Sequence, residues 1–351
     1  MRLAIVGAKG SGKSTLFRAF TGAAAAPPSA DGTRVAVVKV RDERLEWLRD
    51  FHKPRKYTPV AVEVIDFPGM PDSSETTGLK LSELLGAARE AEGLVVTIRA
   101  FEDPTYPYKD AAAKPLAEAA QVVGELAFAD LDIATKRIEK LEKKHVPLDV
   151  EKRELAALLK IRSALEEGRA VKSLDLTPDD KKLLRGFRFL TDKPWVLVVA
   201  LPDAGGDEFV AKVEGPFEAR IGVRTKIEAE VAELDAADRA AFMKDLGIEA
   251  LASESVLRAS FLALGTIPFF TTGEDEVRAW PITRGANAVE AAGKIHTDLA
   301  RGFIRAEVYS FDDFKAAAGD VNAVKKAGRF RVEGKEYVVQ DGDILNIRFS
   351  V

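Results

Sequence analysis

Cysteine is absent from the 351 residues, which excludes disulfides, thiolate zinc sites and cysteine nucleophiles together. No apolar run approaches the roughly twenty residues that a helix needs to span a bilayer. Met1-Arg2-Leu3 leads straight into a strand-like run, so neither a membrane span nor a signal peptide is expected and the cytoplasm is the expected compartment. Overall charge is also scarce, with a formal net value of -4. That small number hides an uneven distribution: Ile133 to Leu190 holds 15 Lys+Arg against 10 Asp+Glu, a net +5, and leaves -9 for the remainder. A basic module on an acidic chain suits a polyanionic partner, with a solvated helical face as the plainer explanation. What is present, 46% hydrophobic and 31% charged residues, is globular composition with length for two or three domains.

The most specific signal is Gly7-Ala8-Lys9-Gly10-Ser11-Gly12-Lys13-Ser14-Thr15, which fits G-x-x-x-x-G-K-[ST]. The apolar run Leu3-Ala4-Ile5-Val6 before it reads as a buried strand, and Lys13 to Phe20 reads as a helix. That context makes it a phosphate-binding loop. Its glycines let backbone N–H groups surround phosphate oxygens at the positive end of the helix. Gly7, Lys9, Gly10, Ser11, Gly12, Lys13, Ser14 and Thr15 are therefore the expected nucleotide contacts. Lys13 would hold the β- and γ-phosphates and the Ser14 hydroxyl a magnesium ion. Lys9 stands four residues before Lys13 and reads as a solvent-facing or phosphate-screening side chain.

Further along, Ala23 to Thr33 is small, Pro-containing and aperiodic, hence a loop. Strands are expected at Val35–Val40, Val60–Ile65, Leu94–Arg99 and Trp195–Ala200, with helices at Glu43–Phe51 and Leu79–Ala91 between them. This alternation predicts an α/β doubly wound sheet with its site at the strands' carboxyl ends. Ala127, Leu131, Ala134, Ile138 and Leu141 step by four and three, a helical seam. Pro147 interrupts it and a second helix follows over Val150–Glu167, giving an inserted antiparallel helical hairpin. Helices at Ala288–His296 and Phe311–Ala318 and strands at Val277–Ile282, Arg305–Tyr309, Gly328–Val332, Tyr337–Val339 and Ile344–Val351 predict a small β-grasp-like sheet. The expected division is a nucleotide-binding domain over 1–125 and 191–276, the hairpin over 126–190 and the C-terminal domain over 277–351.

Asp66-Phe67-Pro68-Gly69, at a strand end about fifty residues after the loop, is the second phosphate-side motif. Asp66 would serve the magnesium shell and the Gly69 N–H would approach the γ-phosphate, which makes Lys13, Asp66 and Gly69 the catalytic candidates. Thr33 is the candidate loop hydroxyl for the same ion. Two familiar groups are missing. Met70 follows Gly69 where many GTPases carry a water-orienting glutamine, so unaided hydrolysis is expected to be slow. Ala200-Leu201-Pro202-Asp203 occupies the place of N-K-x-D, leaving Asp203 as the base-side candidate. His296-Thr297-Asp298 reads as a helix cap rather than acid–base machinery.

The hairpin together with Phe189 to Pro194, Glu230 to Leu234, Phe242 to Gly247, Thr271 to Trp280, Ile295 to Val308 and Gln340 to Asp343 resembles the YchF type of Obg-like ATPase over essentially the whole chain. The resemblance implies a TRAFAC-class nucleotide-binding domain, a helical insertion and a C-terminal TGS domain. It also implies association with ribosomes, binding of ATP at least as well as GTP, and slow hydrolysis. The departures lie in the nucleotide site and mark a divergent paralogue. Gly10-Ser11 replaces Asn-Val before Gly-Lys, Ala200 replaces the asparagine of N-x-x-E, and Tyr108 stands where the family has a histidine. The second switch is reduced to Asp72 to Gly78.

The sequence thus predicts an ATP- or GTP-binding switch protein, magnesium-dependent, with slow hydrolysis and a ribosome or RNA partner. A degenerate nucleotide-binding module without turnover is the rival. A small-molecule kinase would need an acceptor pocket and an arginine-bearing lid, for which the C-terminal segment offers no counterpart.

Overall fold

The computed structural model describes residues 1–22, 27–30, 32–69, 85–108 and 114–350. They form two compact units, 1–38 with 63–263 and 39–62 with 264–351.

The first unit is built on a six-stranded sheet of order β2-β4-β1-β5-β6-β7. Its strands are β1 (Arg2–Val6), β2 (Arg34–Lys39), β4 (Ala61–Asp66), β5 (Gly93–Arg99), β6 (Trp195–Ala200) and β7 (Ala219–Val223). β1 pairs in parallel with β4 and β5, and β5, β6 and β7 continue in parallel. Every residue of β5 and β6 is buried, as strands covered on both faces require, and their unbroken apolar runs are the sequence imprint of that burial. Parallel pairing brings the ends of β1, β4, β5, β6 and β7 to one edge, where the site lies.

The insertion differs from its expected limits. Its first helix runs from Lys114 to Glu142, 29 residues or about 44 Å. Ala119, Val122, Leu126 and Ala129 belong to the core of the sheet, whereas Ala134, Ile138 and Leu141 join a separate core with Leu158, Ile161 and Leu165 of the helix Asp149–Glu166. One helix serves both cores, so no chain break falls at 126. The root of the hairpin is fixed by Asp130, which is fully buried. Its carboxylate accepts from Arg89 at 2.6 Å, the Leu190 N–H at 3.0 Å, and the Thr191 N–H and hydroxyl, each at 2.8 Å.

The second unit holds a mixed sheet of order β11-β10-β12-β8-β9-β3. It comprises β3 (Lys56–Thr58), β8 (Thr266–Thr271), β9 (Glu276–Thr283), β10 (Phe303–Ser310), β11 (Arg331–Glu333) and β12 (Asp343–Phe349). The expected boundary at 277 would cut this sheet, because β8 pairs antiparallel with β9 along its whole length. Residues 39–62, expected in the nucleotide-binding domain, belong here, because β3 pairs with the far edge of β9. Tyr337–Val339, expected as a strand, contributes a single bridge between Val338 and Asn287. His296 caps the helix Thr297–Arg301 through Nδ1, which accepts from the Asp298 N–H at 3.2 Å. No helix among the described residues is long and apolar enough to cross a membrane.

Candidate nucleotide-binding site

β1 delivers the chain into the glycine-rich loop, and the helix Lys13–Thr21 takes it away. Gly12 precedes that helix with φ 90°, a left-handed conformation that side-chain-bearing residues rarely adopt. The helix has no side-chain cap and no acidic residue in its first turn, so its leading N–H groups are available to an anion.

Lys13 is 5% exposed, and its ammonium donates to the Ala8 carbonyl at 2.7 Å, folding back over the loop. Burial pushes its pKa down to about 8, opposed by the fields of Asp66 and Glu118. Asp66 ends β4 and is 3% exposed. Burial raises its pKa, while the Ser14 hydroxyl bonded to it and the charges of Lys13 and Arg34 pull the other way. Its Oδ1 is buried with no hydrogen-bond partner. An orphaned carboxylate oxygen on the same group as the Ser14 hydroxyl is a donor set that fits a hard divalent cation completing its shell with phosphate and water. Among the described residues no three His, Cys, Asp or Glu side chains cluster as metal ligands.

Gly69 lies directly against the loop. A Cβ there would come within 2.8 Å of the Lys9 Cα and 3.0 Å of its nitrogen. The turn carrying Thr33 is beside Pro68, since a Cβ on Gly32 would be 3.2 Å from the Pro68 ring. The Thr33 carbonyl accepts from the Ser29 N–H and hydroxyl at 2.8 and 2.7 Å. Met70, the second-switch residues Asp72 to Gly78 and the first part of the expected Leu79–Ala91 helix lie outside the described residues; 85–90 are helical.

A cleft of about 570 Å³ opens above the loop. Gly10, Gly12, Lys13, Ser14 and Thr15 of the loop and its helix line it, together with Leu201, Pro202 and Asp203 after β6 and Thr225 and Lys226 after β7; the Thr225 hydroxyl lies close to the loop, 3.6 Å from where a Cβ on Gly12 would stand. Of the expected contacts, Gly7 and Ser11 are buried beneath the loop and Lys9 is exposed beside Gly69, all three outside this lining. Ala200 underlies the loop, its Cβ 3.1 Å from where a Cβ on Gly12 would stand.

Arg18, Phe101, Asp103, Thr225 and Lys226 also line the cleft, and none was among the expected contacts. The last two follow β7, Ala-Arg-Ile-Gly-Val, whose apolar pattern is broken by Arg220 and Gly222. That glycine is needed where Leu201 and Val210 press on the strand, since a Cβ would meet them at 2.8 and 2.9 Å. Only the recurrence of a helix start after a fifth parallel strand could have revealed them.

Sheet order, loop, buried lysine and strand-end aspartate together define a P-loop nucleoside triphosphatase. Comparison with known proteins narrows the class. The chain is 37% identical over 363 residues to the Ribosome-binding ATPase YchF of Bacillus subtilis (strain 168), covering 99% of this chain and 98% of that one. It is 37% identical over 362 residues to the protein of that name from Escherichia coli O157:H7, with the same coverage. The solved structure of the Schizosaccharomyces pombe YchF GTPase superposes with a TM-score of 0.81 at 26% identity, over 99% of this chain and 97% of that one. Residues 2–145 match a family model described as a 50S ribosome-binding GTPase, and residues 266–350 match the YchF-GTPase_C model, described as a protein of unknown function. The chain belongs to the YchF family.

Proposed function

We propose that the protein binds a purine nucleoside triphosphate with magnesium in this cleft, hydrolyses it slowly, and uses the nucleotide state to govern association with the ribosome. The observation that carries the first half is Asp66 Oδ1, buried without a partner on a carboxylate that already holds the Ser14 hydroxyl. In this reading Ser14 and Asp66 hold the ion, with Thr33 as the loop hydroxyl beside them. Magnesium would neutralise charge on the β- and γ-phosphates. Lys13 would exchange the Ala8 carbonyl for phosphate oxygens, and the loop N–H groups with Gly10 to Thr15 would enclose them. The Gly69 N–H would approach the γ-phosphate, and water would attack in line, displacing the diphosphate. Met70 supplies no hydrogen bond to orient that water, which makes turnover slow. Asp203 would face the base, and without an amide at Ala200 discrimination between ATP and GTP would be weak, within about tenfold.

The ribosome enters from the relatives, whose names declare it, and from the net +5 of the insertion. We assign the hairpin and the sheet of the second unit, a TGS-like domain, as the contact modules. Most of the hairpin cations are already engaged: Lys136 with Asp132, Arg137 with Glu154 and Lys144 with Glu151. Lys140 and Lys143, exposed at the tip, have no carboxylate partner among the described residues, and they are the groups we assign to a phosphate backbone.

Titrating ATP and GTP with magnesium, followed by phosphate release, tests this reading. Micromolar binding to either nucleotide with measurable release supports it. Binding without release would leave a nucleotide-holding module, and no binding to a folded protein would refute the whole.

A further inference from the structure

The charges that line the cleft fall into two kinds. Lys13 is bonded to Ala8 at 2.7 Å, Arg18 grips Glu233 at 2.6 and 2.9 Å, and Asp103 accepts from the Thr105 N–H at 2.8 Å. Asp203 and Lys226 differ. Asp203 is on the turn after β6, and Lys226 is the second residue of the helix Thr225–Glu233. Their charged atoms face each other at 3.9 Å, with the side chains 65% and 71% exposed. That separation is too long for a hydrogen bond, so both groups keep their full bonding capacity toward a third partner. Both also line the cleft, on the segments that follow the adjacent strands β6 and β7.

We propose that Lys226 is a specificity-determining residue, setting the ratio of ATP to GTP affinity by opposing the Asp203 carboxylate assigned above to the base. The proposal rests on the nucleotide reading above. Guanine presents two adjacent donors, N1–H and N2–H, and an unopposed carboxylate accepts from both. Adenine presents one donor, N6–H, beside the acceptor N1, which a lone carboxylate repels. With an ammonium beside the carboxylate the preference changes sign: N6–H meets Asp203 while Lys226 donates to N1. Guanine offers its acceptor, O6, and its donor, N1–H, in the opposite order, so the same pair meets it with a donor against a donor. Lys226 is therefore a repulsive element against guanine as well as an attractive one toward adenine, the combination by which close analogues are separated.

The test uses the full chain and the variant Lys226→Met, which keeps the stem and removes the charge. Dissociation constants for ATP, GTP and inorganic triphosphate are measured with magnesium by competition, with circular dichroism to verify folding. In the variant the affinity of GTP relative to ATP should rise about tenfold, a change of about 1.4 kcal/mol. Triphosphate, lacking a base, reports any loss of general attraction and should weaken by less than about twofold. Adding Asp203→Asn to Lys226→Met should abolish the gain for GTP. An unchanged ratio, or a shift toward ATP, overturns the proposal. Wild-type protein that binds ATP and GTP no better than triphosphate overturns it too, while leaving phosphate recognition intact; wild type that binds none of the three removes the nucleotide reading itself.

Discussion

Lys13 shows how little room the phosphate site leaves for substitution. Its ammonium is buried, depressed to a pKa of about 8, and held by one carbonyl and the fields of two carboxylates. Among the described loop residues its charge alone lines the cleft, so Lys13→Ala should weaken triphosphate binding at least about tenfold, near 1.4 kcal/mol, although the loop amides remain. Calorimetry giving equal affinities for variant and wild type would contradict this. Gly69 carries a different constraint. A methyl group there would meet the Lys9 backbone at 2.8 Å, and backbone cannot move aside as a flexible side chain can. Gly69→Ala should therefore displace the turn from the loop, lowering phosphate release about tenfold or more while nucleotide affinity changes only a few-fold. Single-turnover kinetics separate the two effects. This part of the site was legible in the sequence, because Gly, Lys, Ser and Asp occur at spacings that the backbone geometry dictates. Phe101, Thr225 and Lys226 were not, since their meeting depends on two strand ends, those of β5 and β7, brought together across more than a hundred residues.

Elements extend beyond the limits that periodicity suggests wherever one helix answers to two cores. The seam from Ala127 to Leu141 was readable, yet the same helix begins at Lys114, where its apolar face turns to the sheet instead of the hairpin. β3 and β8 went unread for a different reason: three residues carry no period, and Thr-Ile-Pro-Phe-Phe-Thr contains a proline that weakens a strand assignment. Asp130 joins the hairpin root to the sheet, and removing it leaves the Arg89 guanidinium, 9% exposed, without its counter-charge. Asp130→Ala should cost about 3–5 kcal/mol in urea unfolding; a loss below about 1 kcal/mol would mean the root is held by apolar packing alone. In the second unit, His52 stacks on Phe314 at 5.8 Å between ring centroids, and its buried Nε2 has no partner. Burial lowers its pKa. The unfolded chain then takes up a proton near pH 6.5 before the folded one does, so stability should fall as pH drops below about 6.5. His52→Leu should flatten the change in melting temperature between pH 7 and 5.5, and an equally steep profile in that variant would assign the dependence to other groups.

At the scale of the whole molecule, charge is arranged against its own mean: a net -4 chain carries a +5 insertion. The long helix starts near the buried Arg99–Glu118 pair, whose carboxylate also acts on Lys13, and ends at the hairpin tip. A polyanion would be met by the insertion and repelled by much of the remainder, which favours end-on engagement through the tip over broad adsorption. Internal ion pairs reduce the cations that could release counterions, since Lys136, Arg137 and Lys144 are bonded to neighbouring carboxylates. At the hairpin tip Lys140 and Lys143 remain exposed. If they bind ribosomal RNA, Lys140→Glu with Lys143→Glu should abolish co-sedimentation with ribosomes at low salt and leave nucleotide affinity unchanged. The milder Lys140→Gln with Lys143→Gln should keep weak binding, with the slope of log affinity against log salt reduced by about 2, because two phosphate contacts no longer displace ions. Mutating Lys144, already committed to Glu151, should do much less. Equal co-sedimentation of the double reversal and wild type, or a slope that the glutamine variant does not change, would make the hairpin tip a solvated helical end and transfer ribosome recognition to another surface.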